Sequence, residues 1–146
     1  MHMNLAVFDN SLEKTNRWLK ELETELGCSR HTAYSVLRAV LHALRDRITV
    51  AEAVHFSSQM PMLVRGLFFE GWKPSTTPQR FLTQDEFISY TRDMCGQVTE
   101  VPLDQAVRAV LASINRHVTE GQAEQVRHML PDDIKQLWPE PAQKAA

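Results

Sequence analysis

Apolar residues recur along this chain at every third or fourth position and nowhere alternate with polar ones, which predicts helices throughout and no strand. Asn10, with Glu13 three residues on, reads as a capping box that opens a first helix. Leu12, Leu19, Leu22 and Leu26 share one face of it beside Trp18, and Gly27 is its stop. A second helix from Ser29 to Arg47 turns Ala33, Val36, Leu37, Val40, Leu41, Leu44 and Ile48 inward. Thr49 and Glu52 form another capping box, for a short helix ending near Gln59. Pro61 suits the first turn of a further helix that buries Leu63, Val64, Leu67 and Phe68.

Residues 73–82, rich in Pro, Ser and Thr, read as a linker, and beyond them the pattern restarts. A third capping box, Thr83 and Glu86, precedes Phe87, Ile88, Met94 and Val98. Pro102 opens a helix with Leu103, Ala106, Val107, Val110, Leu111 and Ile114 on its apolar face. A short helix starts at Thr119, and Pro131 opens a last one through Ile134, Leu137 and Trp138.

The restart is a repeat. A shift of 70 residues lays "RAVLHALRDRITVAEAVHFSSQMPMLVRGLF" over "RAVLASINRHVTEGQAEQVRHMLPDDIKQLW" without a gap. Arg38 to Leu41 recur as Arg108 to Leu111, Thr49 as Thr119, Pro61 as Pro131, and Glu52 returns as Gln122. Upstream, Trp18-Leu19 match Phe87-Ile88 with a slip of one residue. The expected fold is all-α: two tandem four-helix repeats packed as one compact helical domain spanning residues 1–146. Repeat one covers about 10–72, the linker 73–82, repeat two about 83–138, and 139–146 form a frayed tail.

The capping threonine, the "QMP…RG…FEGW" stretch and the later "MLP…LW" resemble a bacterial family of uncharacterised all-helical proteins, the domain-of-unknown-function family twenty-two sixty-seven. The resemblance covers most of residues 11–138. It implies a duplicated helical fold and brings no catalytic residues with it.

A net charge of −2 removes the global basic field that drives general phosphate binding, and the apolar runs are too short to span a bilayer. The start lacks the basic and apolar regions of a secretory signal, although Met1-His2 ahead of a second Met has the form of a cloning remnant. Cys28 and Cys95 make neither a CxxC pair nor a disulfide framework, so two reduced thiols in a bacterial cytosol are expected. Cys28, between a helix end and a helix start, is placed where its pKa could fall, but a bystander thiol is the simpler account.

Local chemistry is sparse. "LGCSRHTAY" (26–34) has the outline of a helix-turn-helix corner, and Arg30, His31, Arg38, Arg45 and Arg47 make the following helix basic. Glu23 stands where that motif needs a small residue, and the repeat counterpart "CGQVTEVPL" has no basic surface. A plain interhelical turn is therefore preferred, with nucleic-acid binding through those five residues as the alternative. Glu52-x-x-His55 matches half of a carboxylate-bridged metal motif, but its repeat partners are Gln122 and Gln125. No nucleophile constellation or glycine-rich phosphate loop accompanies it.

Phe68 and Phe69 point about 100° apart on one helix, so one aromatic of Phe68, Phe69 and Trp72 is expected to meet the linker or a partner. Arg38 and Arg108, the charged residues kept by the repeat, are expected to bond helix ends or neighbouring acids. The reading is a non-catalytic interaction or scaffold protein without cofactor, self-associating or binding a protein partner through Phe68, Phe69 and Trp72. A helical bundle that binds a metal or small ligand at Glu52 and His55 is the remaining alternative.

Overall fold

The computed structural model describes residues 5–140; Met1-His2 and most of the expected tail lie outside them. Among the described residues there are eight α-helices and no strand. They are α1 (Ala6–Leu26), α2 (Arg30–Arg47), α3 (Val50–Ser57), α4 (Met62–Phe69), α5 (Gln84–Cys95), α6 (Leu103–His117), α7 (Glu120–His128) and α8 (Asp132–Lys135). One 3₁₀ turn, Pro74–Thr76, lies in the expected linker. None of these helices is long and apolar enough to cross a membrane.

Helix α2 is the axle. It packs against α1, α4, α5 and α6, and from Val36 to Asp46 every residue except Arg38 is buried. A helix covered on all sides must carry apolar residues all round or satisfy its polar ones internally. Here Val36, Leu37, Val40, Leu41 and Leu44 supply the first, while His42, Arg45 and Asp46 require the second.

Threonine caps start three helices as the pattern predicts. Thr49, Thr83 and Thr119 accept the N–H groups of Glu52, Glu86 and Gln122 at 3.1–3.3 Å. The first helix departs from expectation. It begins at Ala6 after Leu5, with no side-chain cap, and Asn10 lies inside it. Its buried stripe is Ser11, Trp18, Leu19 and Leu22, whereas Leu12, one residue off that stripe, is 49% exposed. A polar residue holds the inward position because the Ser11 Oγ accepts the Leu63 N–H of α4 at 2.9 Å.

Gly27 ends α1 at φ 62°, the left-handed conformation that a side chain resists, and turns the chain into α2. The core then closes around Trp18. Its indole N–H donates to Ser113 on α6 at 2.8 Å, and its ring stacks on His117 with centroids 4.5 Å apart. Trp138 is buried equally, with its N–H on Asn115 at 3.0 Å.

Candidate functional site

Three basic residues of α2, Arg38, His42 and Arg45, are occupied by the end of α4. A helix C-terminus leaves carbonyls without intrahelical partners, and α2 supplies donors to them. His42 Nε2 donates to the Leu67 carbonyl at 2.7 Å, and Arg45 donates to the carbonyls of Phe68 and Glu70 at 2.9 Å each. Arg38 closes the cluster on the Glu70 carboxylate at 2.6 Å. The spacing 38, 42, 45 is one face of a helix, so the sequence builds this clamp simply by repeating donors at i, i+4 and i+7.

The clamp sets local electrostatics. Burial above all, with Arg45 and Arg38 adding to it, holds the His42 imidazole below the ordinary histidine value, while the Leu67 bond opposes them. Hydrogen bonding and charge from Arg38 hold the Glu70 carboxyl below its usual range. Arg108 does for α8 what Arg38 does for α4, donating to the Gln136 carbonyl at 3.1 Å. Both arginines thus reach the residue that caps a short helix.

The five nucleic-acid candidates are therefore not gathered on one free face. Arg45, 3% exposed, is also paired with Asp46 at 2.7 Å and cannot meet a phosphate. Arg47 donates to the Phe81 carbonyl at 2.9 Å, and Arg30 is held by Glu23 and Asn16 at 3.0 and 2.9 Å. His31 is exposed on the corner. That corner is itself fastened, because both carboxylate oxygens of Glu100 accept from Ser29, at 2.8 and 3.0 Å. Burial, then Glu100 and Glu23, push the neighbouring Cys28 thiol up, the opposite of activation.

Asp46 collects a second network. Besides Arg45, it accepts the Tyr90 hydroxyl of α5 at 2.6 Å, and its carbonyl accepts the Gln79 N–H at 2.6 Å. Burial, followed by the bond to Asp46, raises the Tyr90 phenol far above its ordinary value. The network ties α2 to α5 and to the segment between the halves of the chain.

Glu52 is not spent on its own helix start. Its carboxylate accepts the Gln122 amide at 2.8 Å, with both residues buried, and His55 stands 3.9 Å away. No group of three or more His, Cys, Asp and Glu side chains converges on a common point among the described residues.

Of the aromatic candidates, Phe68 is fully buried and cannot contact a partner. Phe69 and Trp72 are half-buried and lie against each other with centroids 5.0 Å apart. Apolar exposure is found elsewhere. Leu5 just ahead of α1, Val7, Phe8 and Leu12 on it, and Met62 and Leu63 on α4 are each 48–61% exposed. The Ser11–Leu63 bond sets the two groups side by side. Periodicity missed this patch because it counted Leu12 and Leu63 as core; the signal was present in the apolar run Leu5 to Phe8 ahead of the expected helix start.

Fold and surface together define an all-helical bundle protein whose polar side chains mostly fasten helix ends. Residues 15–137 match the family described as "Uncharacterized conserved protein (DUF2267)", and the chain belongs to that family. Among curated proteins, none matches the chain.

Proposed function

We propose that this protein is a non-catalytic interaction module, built from two copies of a four-helix unit within one domain, that associates with a second copy of itself. The constant offset of 70 supports the duplication. Arg47 and His117 end α2 and α6, Val50 and Glu120 start α3 and α7, and Met62 and Asp132 start α4 and α8. The contacts are reciprocal as well. Helix α1 packs on α6 and α5 on α2, so each unit lends its first helix to the second helix of the other. Gln59 bonds Thr119 while Thr49 touches Met129, the same pair with the units exchanged. Such reciprocity is the signature of a two-fold relation, here within one chain.

The observation that carries self-association is the apolar patch of α1 and α4. Residues 6–10 are exposed on every side although helical, and a short helical end gains little stability without packing. A second copy presenting the same stripe would bury it. Cys28 and Cys95 are free thiols, which suits a reducing cytosol.

Light scattering across a concentration series tests the reading. Dimers are expected, with Phe8→Asp and Leu12→Asp shifting the protein to monomer at unchanged thermal stability. A monomer throughout the series, up to millimolar protein, overturns it.

A further inference from the structure

A cavity of about 390 Å³ opens where α1, the corner between α3 and α4, and the end of α6 meet. Lys14 and Arg17 line it from α1, Arg116 and His117 from α6, and Met60 and Pro61 from the corner. Three permanent cations thus share a recess whose lining contains no carboxylate. Like charges repel one another, and an anion placed among them relieves that repulsion.

Two of the three cations have acid partners outside the lining. Arg17 lies 3.9 Å from Glu13, with both side chains largely in water. Arg116 stands 3.5 and 3.4 Å from Glu21 and Glu25, while the Glu21 oxygen it shares is taken by His117 at 2.7 Å. Helix α4 begins at this corner through Pro61, and Gln59 of the lining accepts the Thr119 N–H at 2.8 Å. Arg65 covers two carbonyls of the corner, bonding those of Ser57 and Met60 at 3.1 Å each.

We propose that this cavity is a binding site for the phosphate or pyrophosphate group of a small soluble molecule. The cations hold the anionic group by charge-assisted bonds, and Met60 and Pro61 offer an apolar wall to the rest of the ligand. The volume falls in the range of small-ligand sites.

Isothermal calorimetry with inorganic pyrophosphate at low ionic strength tests the proposal, with sodium chloride matched in ionic strength as reference. Saturable binding at one site per chain is expected, weakened about tenfold by Arg116→Gln. Lys14→Gln and Arg17→Gln, at exposed positions, provide variants that keep the fold, and each should weaken binding by about the same factor. Absence of saturable binding overturns the site, as does binding unchanged in all three variants. Vesicles of anionic phospholipid form the second arm, and binding to vesicles without binding to pyrophosphate overturns the assignment to a soluble ligand.

Discussion

The Gln122 amide donates to the Glu52 carboxylate at 2.8 Å, across 70 residues of chain. The two side chains occupy the same place in α3 and α7, each three residues past a capping threonine. With glutamate at both positions, two carboxylates would face each other in a buried site, where they cannot both ionise cheaply. The glutamine relieves that conflict by turning one acceptor into a donor. Its own Oε1 is left buried without a partner.

This pairing makes opposite predictions for its two halves. Glu52→Gln brings a second amide, able to donate to that unpartnered oxygen, so the urea midpoint should stay level or rise. Gln122→Glu should cost about 1–3 kcal/mol at neutral pH. The mutual repulsion raises a folded-state carboxyl pKa above the unfolded value. The variant therefore matches the wild type in acid, below about 4.3, and loses stability as pH rises. A difference between variant and wild type that does not change with pH would count against the facing geometry.

His42 predicts a pH dependence of the wild type. Its folded pKa lies below 6.5, so the unfolded chain takes up the proton first as pH falls. Stability from this residue is complete above 6.5 and declines as pH drops below it. His42→Gln, which can keep a donor toward Leu67, should flatten that part of the profile in urea unfolding followed by circular dichroism. An unchanged slope would show that another group controls it.

Asp46 receives bonds from two side chains, so its loss should exceed that of the Tyr90 hydroxyl. Tyr90→Phe leaves one lone pair of Asp46 unmet and should cost about 1–3 kcal/mol. Asp46→Ala strips a buried guanidinium of its carboxylate, for which about 3–5 kcal/mol is the expected scale. Arg45 keeps its two carbonyl bonds, which favours the lower end. Chemical denaturation ranks the two variants, and the reverse order would remove Asp46 from the centre of the network.

Much of this architecture was legible because it obeys local rules. Threonine caps, helix-opening prolines and the stripe of α2 follow from spacing alone, and so does the separation of Phe68 from Phe69. What periodicity could not show is which polar atoms find partners in three dimensions. Ser11 displaced Leu12 from the interior because an α4 N–H needed an acceptor. Arg38 and Arg45 formed a basic stripe in one dimension, yet the end of α4 consumes them. Glu52 carried a complete local explanation as a cap, and its carboxylate went to a residue 70 positions away. The Lys14, Arg17 and Arg116 cluster had no sequence signal at all, since it joins helices from both halves.

The packing of α1 on α6 and of α5 on α2 leads to a prediction about the two halves of the chain. Residues 5–72 alone would keep the packing of α1, α2 and α4 but lose α5 and α6 from the remaining faces of α2. Trp18 would lose the Ser113 hydroxyl and the His117 ring, uncovering the largest fully buried side chain of that half. Residues 73–140 would lose the α2 face on which α5 rests, exposing Phe87. Burying a large side chain contributes about 1.5–3 kcal/mol, and whole domains hold only about 5–15 kcal/mol, so neither half should fold cooperatively alone. Mixed at equimolar ratio they should recover helicity and a single thermal transition, because the missing faces are complementary. A sigmoidal melt from either half in isolation would mean that the units pack side by side as self-sufficient bundles rather than through exchanged helices.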